Sequence, residues 1–277
     1  MTTRRSVDFI DGGSLSPADR GFTYGDGLFE TLRVREGRVP LWSHHRNRLR
    51  DSCARLHMSV PDEGRLFAEV IRLCDGFDDA VVRVTLSRGV GERGYALPAS
   101  PRQTLVVAAS PLSLDACAYA EGIAVRLCET RYGEQPLLAG MKHLNRLEQV
   151  LARAEWSDTF RGEGLMRDLG GDLVSATAAN LFAVFEGQIV TPAVDRCGVA
   201  GVARAEVMAC REVAVDAIPL SRLVVADEVF LTSAVRGILP VRAFAGRTWS
   251  PGPVARALQS HWRDIGLPLP WMEGSQS

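Results

Sequence analysis

Over its 277 residues the chain has no apolar run that approaches the roughly 20 residues needed to cross a bilayer, so no membrane partner is expected. Nor is there an excess of charge of one sign. The 32 basic and 33 acidic residues leave a formal net charge of -1, which gives no reason to expect nucleic acid or an anionic surface as partner. The six cysteines (Cys53, Cys74, Cys117, Cys128, Cys197, Cys210) never form a C-x-x-C pair, so no metal site is expected. Most lie among apolar residues and read as small core hydrophobes of a reducing, cytoplasmic compartment. The opening MTTRRSVDFI has arginines with no apolar stretch behind them, unlike a secretory leader. Internal repeats, low-complexity segments and the G-x-S-x-G of a serine hydrolase are all absent.

What remains is a composition of 46% hydrophobic and 23% charged residues, that of a soluble globular protein able to bury one large core or two modest ones. "FETLRVREGRVPLW" predicts two strands around a Glu36-Gly37 turn. Helices are expected from about Ser43, with Leu49, Cys53 and Leu56 on the buried face, and over "RLFAEVIRLCDGF". "AVVRVTLSRG" and "QTLVVAASPL" read as strands. Beyond "PLSLDACAYAEG" the pattern changes to many short strands, with helices at about 144–157, 201–213 and 252–264. This is too strand-dense for regular βαβ units. The expected plan is α+β in two domains, residues 1–112 and 119–277, joined by a linker at 113–118, the second domain nearer to a barrel.

The segment "LLAGMKHLNRLEQVLARAEW" (137–156) places Leu144, Leu147, Leu151 and Ala154 on one apolar helix face, with Lys142 at the mouth of the helix. The positive end of a helix disfavours a cation. Two readings stand at this point: a surface lysine, or an amine poised for nucleophilic chemistry. In "CGVAGVARAEVMA", Gly198 and Gly201 precede a predicted helix, so backbone N–H groups there could face an anion; a plain loop-to-helix junction reads the same way. Arg83, inside an apolar strand, must be paired or face a pocket. Arg93 lies between Gly91 and Gly94 on a loop able to close over a ligand; an exposed loop charge reads equally well. His143 should point away from its neighbour Lys142, and His44 and His45 have no acidic partner nearby in sequence; all three read as structural.

Taken in order, "DRGFTYGDGLFETLRV" (19–34), "HHRNRL" (44–49), "SRGVGERGY" (87–95), "LLAGMKHLNRLEQVLARAEW" and "TPAVDRCGVAGVAR" (191–204) resemble the fold-type IV pyridoxal-phosphate enzymes over nearly the whole chain. The K-H-L-N-R-L-E-Q run is most similar to the aminodeoxychorismate lyases; the other blocks are shared with branched-chain and D-amino-acid aminotransferases. The resemblance implies a small N-terminal α/β sandwich, a larger C-terminal pseudo-barrel domain that carries the Schiff-base lysine, and a homodimer with pyridoxal 5'-phosphate between the domains. It implies Lys142 as the lysine that bonds the cofactor and then acts as base, and Thr31 as proton donor to the departing enolpyruvyl group. Arg48, Val202, Ala203 and Ser233 are implied near the phosphate, and Tyr24, Arg33, Arg83, Arg93 and Tyr95 around the substrate. Relatives place a glutamate against the pyridine nitrogen; here the matching residue is Ser175. A hydroxyl stabilises a protonated ring less than a carboxylate does, which disfavours amino transfer more than elimination. The implied activity is conversion of 4-amino-4-deoxychorismate to 4-aminobenzoate and pyruvate in folate biosynthesis. An aminotransferase of the same family is the first alternative, and an inactive binding protein with Ser175 as a mark of decay is the second.

Overall fold

Alternation of apolar and polar residues, not one continuous apolar run, builds the N-terminal sheet of this computed structural model, which describes residues 3–157, 160 and 162–270. The chain divides into two compact units, Met1–Ser113 with Met141–Asn145, and Leu114–Gly140 with Arg146–Ser277. The first unit contains β1 (Arg4–Val7), β2 (Ile10–Asp11), α1 (Arg20–Tyr24), β3 (Gly27–Arg35), α2 (Trp42–Arg55), α3 (Glu63–Leu73), β4 (Asp79–Ser87) and β5 (Thr104–Pro111). The strands form an antiparallel sheet in the order β2-β1-β5-β4-β3. Leu28, Leu32, Val82 and Val84 project from one face into a core shared with Leu49 and Cys53 of α2 and Leu66 and Val70 of α3. Because side chains alternate along a strand, Phe29, Thr31 and Arg33 project from the other face.

The expected hairpin at Glu36-Gly37 is only partly formed. Glu36 and Gly37 turn with positive φ (49° and 69°), but the return strand is a single bridge, Arg35 to Arg38, before α2 begins at Trp42. Pro40 has no N–H to extend a ladder, and β3 pairs along its whole length with β4 instead.

The second unit contains α4 (Ala116–Ala120), β6 (Ile123–Leu127), α5 (Leu147–Ala154), β7 (Gly162–Arg167), β8 (Leu173–Ala176), β9 (Asn180–Phe185), β10 (Gln188–Thr191), α6 (Val202–Cys210), β11 (Val213–Val215), α7 (Leu220–Leu223), β12 (Glu228–Ser233), β13 (Gly237–Phe244), β14 (Arg247–Thr248) and α8 (Pro253–Asp264). Strands β9, β12, β13, β6, β7 and β8 pair in that order, and β8 returns to β9 through the Ser175–Asn180 bridge, closing a six-stranded barrel. Strands β10 and β11 extend from β9, and β14 pairs with β13. Leu181, Ala183, Val229, Leu231, Leu239 and Val241 form one apolar cluster along the wall. The Glu228 carboxylate accepts from the N–H groups of Val254 and Ala255 (both 3.0 Å) and so caps α8. The stretch written as a linker carries a capped helix, with Asp115 accepting from the Cys117 N–H (3.1 Å) ahead of α4. Among the described residues no helix is long and apolar enough to cross a membrane.

Two expectations about the lysine segment are corrected. The helix begins at Leu147, not near 144, so Lys142 is five residues ahead of it on extended backbone. Residues 141–145 group with the N-terminal unit because they add to the edge of β3: the Phe29 N–H donates to the Lys142 carbonyl (2.8 Å), and the Leu144 N–H to the Gly27 carbonyl (3.0 Å). The predicted apolar face of α5 is also outward. Leu147 and Leu151 are 75% and 61% exposed, and Ala152 is the buried residue.

Candidate active site

Edge pairing to β3 aims Lys142. With His143 bridged to Leu28, Lys142 lies opposite Phe29, and its Nζ is 4.2 Å from the Phe29 ring centroid. Extended residues alternate in direction, so His143 turns to the opposite face; it stays out of the site for this reason and not through helical geometry. Thr31 pairs with Arg83 of β4 on the Lys142 face. The Arg83 guanidinium covers the same Phe29 ring at 3.9 Å, with Nε on Thr85 Oγ1 (3.3 Å), and its side chain is exposed. The face therefore presents an amine, a hydroxyl and a guanidinium around one aromatic ring.

The opposite face carries a network that the sequence did not announce. Glu30 is 4% exposed and meets His45 Nδ1 at 2.6 Å; Arg48 donates to it through Nε (2.8 Å) and Nη2. Although burial opposes ionisation, the two partners hold the Glu30 carboxyl at about 2, below its usual 4.5. Burial lowers the His45 imidazole below its ordinary value; the Glu30 carboxylate pulls the other way, and the smaller effects of the Arg48 and Lys142 charges add to the lowering. His45 thus has the acidic partner that a local reading denied it, 15 residues away on the neighbouring strand. A cavity of about 240 Å³ lies on this side of the sheet, lined in part by Glu30, His45, Leu49 and Leu66.

In the second unit, Gly198 (φ 82°) and Gly201 shape the turn before α6. The Gly140 N–H donates to the Gly198 carbonyl (3.1 Å) and the Ala200 N–H to the Gly140 carbonyl (2.9 Å), pinning this turn two residues before Lys142 in the chain. Asn180 Nδ2 donates to the Val199 carbonyl (2.9 Å). No side chain caps α6, so its first N–H groups, on the buried residues Val202 and Ala203, are set to receive an anion at the positive end of the helix. Across the strand pairing from Asn180 is Thr232, whose buried Oγ1 has no hydrogen-bond partner among the described residues. An orphaned buried hydroxyl beside an uncapped helix start fits a phosphate ester, and Thr232 is a residue that sequence reading passed over for its neighbour Ser233. Ser233 Oγ accepts from the Arg236 N–H (3.1 Å). Ser175, in the bridge that closes the barrel, is buried, with its Oγ 2.9 Å from the Tyr132 hydroxyl.

Other predicted residues are spread over the N-terminal unit. Arg33 is engaged by Asp79, which accepts from its Nε (2.9 and 3.1 Å) and Nη2 in a largely buried ion pair. The loop carrying Arg93 is tied to α1: Arg20 donates to the Gly94 carbonyl and the Gly94 N–H to the Tyr24 hydroxyl (3.0 Å each). Tyr24 and Tyr95 pack edge to face at 5.5 Å, and Arg93 is exposed. The strongest sequence signal was missed: Lys142 is the one lysine of the chain, every other basic residue among the 32 being arginine.

The amino-transferase class IV family model matches residues 27–244. The chain belongs to the class IV aminotransferases. Aminodeoxychorismate lyase of Vibrio harveyi is 36% identical over 231 residues, covering 80% of this chain and 84% of that protein. The crystal structure of 4-amino-4-deoxychorismate lyase from Pseudomonas aeruginosa has a TM-score of 0.90 and 43% identity, covering 95% of this chain and 99% of that one. A putative branched-chain-amino-acid aminotransferase of Methanocaldococcus jannaschii is 29% identical over 93% of each chain. The two-domain α+β plan of this family, with a sheet unit and a barrel unit, is the one expected from sequence.

Proposed function

We propose that this class IV enzyme is a pyridoxal-phosphate-dependent lyase that converts 4-amino-4-deoxychorismate to 4-aminobenzoate and pyruvate. The observation that carries the reading is the placement of the only lysine: Lys142 lies on the same face of β3 as Thr31 and Arg83. In the barrel unit the N–H groups of Val202 and Ala203 and the hydroxyls of Thr232 and Ser233 would hold the cofactor phosphate, with Ser175 toward its ring nitrogen. Lys142 would bond the cofactor aldehyde, and Arg48, the partner of Glu30, is named for the phosphate by the family resemblance. When bound, the cofactor supplies an aldehyde for the substrate amine and a conjugated ring that accepts the electrons of a broken C–H bond.

The chain's own residues supply the rest. The Lys142 amine removes the proton from the ring carbon bearing the substrate nitrogen, acting as a general base. The Thr31 hydroxyl relays a proton to the oxygen of the departing enolpyruvate, which tautomerises to pyruvate as the carbocycle becomes aromatic. Arg83 supplies a cation for a substrate carboxylate, and Tyr24, Arg93 and Tyr95 belong to the loop pair that would border it. Ser175, lacking a carboxylate's charge, supports elimination over amino transfer. Purified enzyme given 4-amino-4-deoxychorismate should release pyruvate and 4-aminobenzoate in equal amounts. Amino exchange between amino and keto acids without that release would assign the aminotransferase activity instead.

We also infer a cytoplasmic homodimer. Support for two copies comes from α5, whose exposed Leu147, Val150 and Leu151 form an apolar surface that a second chain can cover.

A further inference from the structure

Ser175 is the last member of a buried series of polar groups that runs in one direction. The Tyr132 hydroxyl lies 2.9 Å from Ser175 Oγ, and Ser175 Oγ lies 2.9 Å from the Ala176 carbonyl. A carbonyl only accepts, so the single Ser175 proton goes to it and the hydrogen between the two hydroxyls is the phenol's. Burial pushes the Tyr132 phenol above its ordinary value, so that proton is retained at any working pH. Ser175 therefore accepts from Tyr132 and must donate its own proton, which in this structure goes to the Ala176 carbonyl at 2.9 Å.

We propose that Tyr132 is a positioning residue that holds Ser175 as a hydrogen-bond donor, so that the ring nitrogen of the cofactor is bound as an unprotonated acceptor. The proposal rests on the reading above that Ser175 faces that nitrogen. It turns the departure from glutamate into a built feature: two neutral groups, Tyr132 and Ser175 of the barrel-closing bridge, replace one carboxylate. Arg146 acts electrostatically on Tyr132 from the same region, and a guanidinium there opposes a second cation on the ring. An unprotonated ring draws electrons less strongly, and a reaction that expels a leaving group depends on that pull less than amino transfer does.

The test uses holoenzyme loaded with cofactor carrying ¹⁵N at the ring nitrogen. In the wild type, ¹⁵N NMR should show a hydrogen-bonded, unprotonated pyridine, and Ser175→Glu should move the resonance to that of a pyridinium. Tyr132→Phe should shift it toward a pyridine without a donor. It should also weaken cofactor binding about fivefold, the worth of one hydrogen bond, with the folded circular-dichroism spectrum retained. A protonated ring in the wild type overturns the proposal. So does a resonance that Tyr132→Phe leaves in place while Ser175→Ala moves it. If Ser175→Ala also leaves the resonance in place, Ser175 is not at the nitrogen and that part of the functional reading falls too, whereas equal release of pyruvate and 4-aminobenzoate would keep the lyase activity standing.

Discussion

Replacing Glu30 by glutamine should cost this protein about 3 kcal/mol of stability at neutral pH. Glutamine keeps the shape and one acceptor oxygen, but it turns N–H donors toward Arg48 and His45, which are themselves donors at this site. Holding the carboxyl at about 2 against an ordinary 4.5 corresponds to about 3 kcal/mol favouring the folded state. Breaking a buried ion pair by removing one partner costs about 3–5 kcal/mol, which agrees. The sign follows from the direction of the shift: the folded carboxyl titrates below the unfolded one, so its stabilisation is complete above about pH 4.5 and is lost as pH falls through about 2. His45 adds a separate loss on acidification below 6.5, because the unfolded imidazole binds a proton that the buried one refuses. Urea unfolding of wild type and Glu30→Gln at a series of pH values gives the comparison. The gap should be steady from about pH 7 to about pH 5 and narrow toward about pH 3. A loss under about 1 kcal/mol, the scale of an exposed pair, or a gap indifferent to pH, would refute the account of this network.

Borohydride reduction of the holoenzyme should fix one cofactor mass on the peptide containing Lys142. Lys142→Ala should lose both that adduct and at least about a thousandfold in turnover, because base and covalent anchor go together; an adduct in the variant would disprove the assignment. Gly201→Ala would place a Cβ 2.0 Å from Asn180 Oδ1, forcing Asn180 off the Val199 carbonyl. Cofactor titration should show about tenfold weaker binding, with about 1–3 kcal/mol of stability lost in denaturation. Leu147→Asp combined with Leu151→Asp should convert dimers to monomers in light scattering; an unchanged mass would remove α5 from the subunit interface.

The amino-acid sequence by itself determined the character of the elements and the chemistry on offer. Alternating Leu28, Leu32, Val82 and Val84 specify a one-sided sheet, and glycines ahead of Val202 specify an anion-ready helix start. A lone lysine among 32 basic residues specifies which amine can react. These are short-range properties, set by the two-residue repeat of strands and the conformational freedom of glycine. Only the tertiary structure decided the partners. Glu30 with His45 and Arg48, Arg33 with Asp79, and Ser175 with Tyr132 lie 15, 18, 46 and 43 residues apart. It likewise decided that β3 pairs with β4 and not with its own return strand, and that residues 141–145 leave helical periodicity to line its edge. The physical reason is that a buried ionisable group takes its state from whatever the fold brings within a few ångströms, and sequence neighbours on a strand or helix point elsewhere.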